Sequence, residues 1–146
     1  MKNNFPILRV VTKLVIPYII LLAFYVQFHG DYGPGGGFQA GVILAAAYIL
    51  YALVFGLQAV QRVARPSILE ILMAGGVLLY GGTGIATLLA GGNFLQYSVL
   101  EHQVGGGMLP SGEHLGMFLI ELGVGATVAA VMISIFFSFA GRERTK

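Results

Sequence analysis

Four long apolar runs, separated by short polar or glycine-rich stretches, dominate the sequence. They cover residues 14–28, 38–60, 71–92 and 115–140. The last run contains one charged residue, Glu121, and the first reaches spanning length only if it extends back past Lys13. A helix needs about 20 apolar residues to cross the hydrocarbon core of a bilayer. The pattern therefore predicts four transmembrane helices, at about 7–28, 38–61, 68–92 and 114–140.

The composition agrees with a chain that faces lipid. Of the 146 residues, 57% are hydrophobic and only 10% are charged, whereas a soluble domain carries about 25% charged residues. We therefore expect an all-α integral membrane protein in which residues 1–146 form a single four-helix domain. The absence of cysteine excludes disulfides and thiolate metal sites.

The basic residues are distributed very unevenly. All eight lie before the first span, between the second and third, or after the fourth: Lys2, Arg9, Lys13, Arg62, Arg65, Arg142, Arg144 and Lys146. The two glycine-rich loops, roughly 29–37 and 93–113, contain none. Because short loops rich in Lys and Arg stay in the cytoplasm, both termini are predicted to be cytoplasmic and both glycine-rich loops to lie outside. Basic clusters without interleaved aromatic residues do not indicate binding to nucleic acid.

The first of these loops reads HGDYGPGGGFQAG, from residue 29 to residue 41. Its triple glycine is not a P-loop, because no Gly-Lys-Ser/Thr follows, and no strand precedes it as a dinucleotide fingerprint requires. Pro34, Gly35, Gly36, Gly37 and Phe38 are therefore interpreted as a tight structural turn before the second helix. The alternative is an ion site, since the free N–H groups of that helix could attract Asp31 or an anion.

Small residues recur every four positions in three of the predicted helices. The sets are Gly37, Gly41 and Ala45; Gly82, Ala86 and Ala90; and Gly125 with Ala129. In lipid, such faces allow close approach of helix backbones. Four short helices cannot use all these faces among themselves, so partner subunits are expected.

Glu121 is the candidate functional residue with the strongest physical argument. A carboxylate inside a span costs about 2.5–3.5 kcal/mol on insertion scales, and such residues are usually functional or paired. It is either part of a proton or ion path or a structural acid that hydrogen-bonds a neighbouring helix. His114 lies on the same helix side, and Lys13 and Glu70 lie near the cytoplasmic boundary; these three are the further candidates for the path.

No other chemistry emerges from the sequence. The three histidines lack metal-ligand spacing, and no catalytic constellation is present, so neither an enzyme nor a metal site is predicted. No cofactor is expected.

Several segments together resemble the B subunit of Mrp-type multisubunit cation/proton antiporters. They are Gly30–Gly41 with its PGGGF run, Thr12–Val15, Thr83–Gly84 and Glu121–Val124. The similarity covers nearly the whole chain. Asp31 and Tyr32 stand where this family commonly has His-Asn.

The resemblance implies a small, multi-pass subunit of a bacterial inner-membrane complex that exchanges Na⁺ for H⁺, needed for assembly, for ion exchange, or for both. Its partners would be the other subunits and the lipid bilayer. Two alternatives stay open. The chain could belong to the related ion-translocating module of a membrane-bound hydrogenase-like or complex I-related assembly, or it could be a purely structural packing subunit.

Overall fold

The computed structural model describes residues 6–30, 35–99 and 112–142. Within these ranges it contains five helices: α1 Pro6–His29, α2 Gly37–Phe55, α3 Leu57–Val63, α4 Pro66–Leu89 and α5 Gly112–Gly141. All except α3 are long and apolar enough to cross a membrane. The prediction of an all-α chain with four apolar spans is therefore confirmed.

The prediction of one continuous helix over residues 38–61 is wrong in one respect, because the helix is interrupted at Gly56. This glycine has φ +93° and ψ 156°, a combination that is essentially restricted to glycine. Its N–H still donates to the carbonyl of Ala52, at 2.8 Å, so α2 closes its last turn before the chain changes direction. A short helix, α3, then leads to the next span. The apolar pattern continued through the break and so concealed it.

The third predicted helix, 68–92, is shifted towards the N-terminus. Pro66 supplies the first turn of α4, where its missing N–H costs nothing. At the other end, Gly91 has φ +85°, and the N–H of Gly92 donates to the carbonyl of Thr87, at 3.1 Å. This is the bonding pattern of a glycine-terminated helix. It ends α4 three residues earlier than the hydrophobic run does.

The four long helices pack as a row. α5 packs against α2 on one side and α4 on the other, and α2 packs between α1 and α5. α1 and α4 lie at the two ends of the row, so each has a wide surface that none of the other described helices covers. On α1 the uncovered positions include large apolar residues: Ile7, Leu14, Tyr18, Leu21, Tyr25 and Phe28. Such an apolar exterior is what a bilayer or another membrane subunit would contact.

Small side chains dominate the buried core. Ala45, Ala64 and Ala130 pack with Leu69 and Ile133 near the junction of α3 and α4. Because lipid is as apolar as these side chains, the packing derives its stability from close van der Waals contact rather than from removal of water. A substitution that disturbs the close packing there should therefore destabilise the fold more than one that only makes a side chain less hydrophobic.

The second predicted outer loop, 93–113, is described to residue 99 and again from residue 112. In the first part, the N–H of Leu95 donates to Thr87 Oγ1, at 2.9 Å, and the ring of Tyr97 contacts Gly116. This segment therefore folds back over the neighbouring ends of α4 and α5. The triple glycine at 105–107 lies outside the described residues.

Candidate functional site

The glycine-rich turn between α1 and α2 folds back onto the end of α1. The N–H of Gly36 donates to the carbonyl of Val26, at 3.3 Å, and the carbonyl of Gly36 accepts the first helical bond of α2, from Ala40, at 3.1 Å. Gly36 has φ +117° and no side-chain cap. Only glycine adopts such a backbone without strain. Of the predicted motif, Gly35, Gly36 and Gly37 form this turn, Phe38 is 63% exposed on the first turn of α2, and Pro34 lies outside the described residues.

The carboxylate of Glu121 lies against this turn. A Cβ atom at Gly30 would be 2.7 Å from both carboxylate oxygens, and one at Gly36 would be 3.3 Å from Oε1. The carboxylate therefore fills the space that side chains at these two positions would need. The residue is half-buried and faces protein backbone. The glycine turn and Glu121 are separate features of the sequence, and the fold brings them together.

Backbone contacts between α2 and α5 hold this arrangement. A Cβ at Gly37 would overlap the carbonyl oxygen of Glu121 and lie 3.0 Å from its Cα. One turn later, a Cβ at Gly41 would be 2.7 Å from the carbonyl oxygen of Gly125. The predicted small-residue faces of the second and fourth spans thus pack against each other.

Gln27 is a polar residue of this region that sequence analysis missed. It is 7% exposed, and its Oε1 would be 2.6 Å from a Cβ at Gly125, one turn along α5 from Glu121. Its Nε2 has no hydrogen-bond partner among the described residues. An unpaired buried donor costs about 1–3 kcal/mol. The available clue was a lone amide within an otherwise apolar span.

Gln27 also lines a cavity of about 200 Å³. The lining residues come from all four long helices: Ala23, Phe24, Gln27, Phe28, Ala40, Gly41, Leu44, Leu72, Leu122, Gly125, Ala126 and Ala129. Gln27 is the one polar side chain in this set. On the side of Glu121 nearer the start of α5, the ring of Phe118 stacks on Phe28 with centroids 5.8 Å apart. The site thus has an aromatic pair on one side and a largely apolar cavity with one amide on the other.

The other predicted path residues lie elsewhere. His114 is two turns from Glu121 on α5, about 10 Å away along the helix axis. Lys13 is fourteen residues before Gln27, about 21 Å away along α1, with its Nζ 5.7 Å from the ring centroid of Phe55. Glu70 is exposed on α4. The structure therefore does not bring Lys13 or Glu70 to the Glu121 site.

Metal chemistry has no support in the part of the chain that the structure describes. No group of three His, Asp or Glu side chains there is arranged to hold a metal ion.

Comparison with known proteins gives one consistent result. Residues 7–134 match the model of a family described as a domain related to the MnhB subunit of Na⁺/H⁺ antiporter. A protein of Staphylococcus haemolyticus (strain JCSC1435) named "Putative antiporter subunit mnhB2" is 34% identical over 141 residues, covering 97% of this chain and 98% of the relative. Proteins of the same name from Staphylococcus aureus strains MRSA252 and Newman are 36% and 37% identical over 145 residues, with the same coverage.

Proposed function

The chain belongs to the family of the MnhB subunit of Na⁺/H⁺ antiporters, and we propose that its Glu121 carries protons at the outer end of the exchange path. As a member of this family, the chain is a subunit of a multisubunit Na⁺/H⁺ antiporter complex, and thus part of a membrane transporter. These comparisons therefore favour the antiporter complex over the hydrogenase-like assembly.

The observation that carries the proposal is the contact of the Glu121 carboxylate with the glycine turn. The turn leads into α2, whose first N–H groups have no partner within the helix, and the positive end of a helix dipole stabilises negative charge placed there. The proposal requires that the carboxyl group takes up and releases a proton at this position, beside the backbone of the turn.

Gln27 would continue the path inward. The Gln27 side chain extends from α1 to α5, where it meets Gly125, one turn beyond Glu121. The same side chain borders the 200 Å³ cavity. A buried water molecule needs about two to four polar partners, so in this largely apolar cavity water of the path would lie at the Gln27 side. The unpaired Nε2 of Gln27 would provide one of these partners. His114, on the outward side of Glu121, stays a candidate for the approach from the outer surface. Lys13 and Glu70 lie near the starts of α1 and α4, away from Glu121, and are not assigned to the path.

The orientation that this assignment needs is supported by the position of the basic residues. Arg9 and Lys13, near the start of α1, contact the ring of Phe55 at the end of α2, and Ala64, beside Arg65, packs against the C-terminal half of α5. Of the described basic residues, Arg9, Lys13 and Arg65 thus lie near the same ends of the long helices, opposite the glycine turn. By the positive-inside rule these ends would be cytoplasmic, in a bacterial inner membrane, and the Glu121 site would face outward.

The competing proposal is a structural one, in which Glu121 only fastens the turn to α5. Its contacts with Gly30 and Gly36 favour this as well, because removal of the side chain would leave a gap beside the turn. The two proposals differ in what they require of the residue. In the structural role, the size and shape of the side chain matter. In proton transfer, the side chain must gain and lose a proton.

Substitution of Glu121 in the complete complex separates these two proposals. The measurement is Na⁺-dependent proton exchange in inverted membrane vesicles, divided by the amount of assembled complex. We expect Glu121→Gln to assemble normally and to lose exchange at least about tenfold, because an amide cannot transfer the proton. Glu121→Asp should retain part of the activity. Gln27→Leu should assemble and show a smaller loss, because it removes only a polar partner of the path.

Full exchange in the glutamine variant, together with loss of assembled complex in Glu121→Ala, would exclude Glu121 from the path and establish the structural proposal.

A further inference from the structure

Two cations converge on one aromatic ring at the end of the molecule opposite Glu121. Arg9 Cζ lies 5.8 Å and Lys13 Nζ lies 5.7 Å from the ring centroid of Phe55. The two residues are one turn apart on α1, and both are exposed. Neither forms an ion pair with a carboxylate in the part of the chain that the structure describes. Their charge is therefore not neutralised within this part of the chain.

An apolar groove begins directly beside these cations. It has a volume of about 210 Å³ and is lined by residues of α1, α2 and α3: Ile16, Ile20, Ala47, Tyr48, Tyr51 and Val63. On α1, the lining residues follow Lys13 by three and seven positions. On α2, Tyr51 and Tyr48 precede Phe55 by four and seven. Both spacings keep the groove on the side of the helices that carries the cations, and its lining residues span about 6 Å along α1 and about 6 Å along α2.

We propose that this groove binds one acyl chain of an anionic phospholipid, with the lipid phosphate held between Arg9 and Lys13. Guanidinium and ammonium groups form strong charge-assisted hydrogen bonds to phosphate. Basic pockets between transmembrane helices are a known way to recognise anionic head groups. One leaflet of hydrocarbon is about 15 Å thick, so a groove of this length would hold the upper part of a chain whose head group lies at the surface.

A phospholipid fits both features with one molecule. A soluble anion would neutralise the cations but leave the apolar groove uncovered, and a neutral lipid would fill the groove but leave the cations without a counter-charge. The two cations that would hold the phosphate lie at least about 21 Å along α1 from Gln27. The proposal therefore does not depend on any proton path through Glu121.

The test uses the purified complete complex and a phosphatidylglycerol analogue with a photoactivatable group in its acyl chain. Cross-linked peptides are mapped by mass spectrometry over a range of probe concentrations, with the matching phosphatidylcholine analogue in parallel. We expect phosphatidylglycerol to label the segments around residues 16–20 and 47–51. Each cation near a lipid phosphate contributes about fivefold to affinity, so Arg9→Gln with Lys13→Gln should raise the half-saturating concentration about thirtyfold.

Two further variants keep the result interpretable if the double variant assembles poorly. Ile20→Trp fills the groove without changing charge and should reduce labelling of the groove segments. Arg142→Gln removes a positive charge at the end of α5, a helix that contributes no residue to the groove lining, and should leave labelling unchanged. Equal labelling by phosphatidylcholine, unchanged labelling in Ile20→Trp, or cross-links from these segments only to another subunit would each overturn the proposal.

Discussion

α4 and α5 look alike as sequences but differ in their surroundings. Each is an apolar span with one acidic residue in its spanning part and with small residues four positions apart. In α5, Gly116, Gly123 and Gly125 all contact another segment, and Glu121 lies against the glycine turn. In α4, Gly75, Gly81 and Gly82 have no other group within 4 Å of a Cβ position, and Glu70 is exposed.

The difference follows from position in the row of helices. α5 lies between α2 and α4, so residues on two of its sides meet other backbones, whereas α4 lies at the end and, among the described helices, packs mainly against α5. Four-residue spacing identifies a face on which a helix can be approached closely. It does not identify which helix approaches. The face of α4 that contains Gly82 and Ala86 is thus available to lipid or to another subunit of the complex.

The strongest effect is expected where α5 meets α2. Gly37→Ala places a methyl group on the carbonyl oxygen of Glu121, and backbone atoms cannot move aside as a flexible side chain can. Overpacking of this kind costs about 1–3 kcal/mol and sometimes more, so the yield of assembled complex should fall severely. The measurement is the amount of complex in the membrane fraction, with Gly75→Ala as the matched control. Normal assembly of Gly37→Ala would contradict the contact on which the site depends.

Two neighbouring glycines of α4 test the comparison within one helix. A Cβ at Gly76 would overlap Thr127 Oγ1 and lie 2.5 Å from the carbonyl oxygen of Gly123, whereas one at Gly75 would meet nothing within 4 Å. Gly76→Ala should therefore destabilise the folded chain by about 1–3 kcal/mol. The measurement is the thermal denaturation midpoint of the purified complex, which should fall.

Gly75→Ala should be neutral or slightly stabilising, since alanine favours a helix by about 1 kcal/mol over glycine. A large loss in Gly75→Ala alone would show that another subunit packs closely on that face.

The contrast between these helices also shows how far the sequence could lead. Apolar run lengths were sufficient to predict four spans, because the bilayer imposes a length on each helix. They were insufficient at Gly56, where a single backbone conformation ends α2 inside a continuous apolar run. Gly125 and Gly82 belong to similar patterns, and only the packing order of the helices separates the buried one from the exposed one.

The site was predicted in parts. Glu121 and the glycine turn were both selected, each on its own physical ground, but their contact joins residues about 90 positions apart along the chain. A pattern read within one helix contains no information on such contacts. Gln27 was missed for the same reason, since a lone amide becomes significant only when its burial and its unpaired Nε2 are known.

The smallest effect is expected at the acid of α4. Glu70 is exposed, and its neighbour Leu69 packs with Ala130 and Ile133, at a level of α5 about 13 Å from Glu121. Glu70→Gln makes the same chemical change as Glu121→Gln but at a residue with no described ion pair or hydrogen bond, and exposed substitutions usually change stability by no more than about 0.5 kcal/mol. Because Glu70 also lies away from the Glu121 site, its replacement should change the energetics of exchange by a similarly small amount, about twofold in exchange per assembled complex. If Glu70→Gln instead loses as much exchange as Glu121→Gln, the open face of α4 carries a functional acid whose surroundings are completed by another subunit. Both acids would then be required for exchange. The two helices would differ only in whether this chain or another subunit encloses the acid.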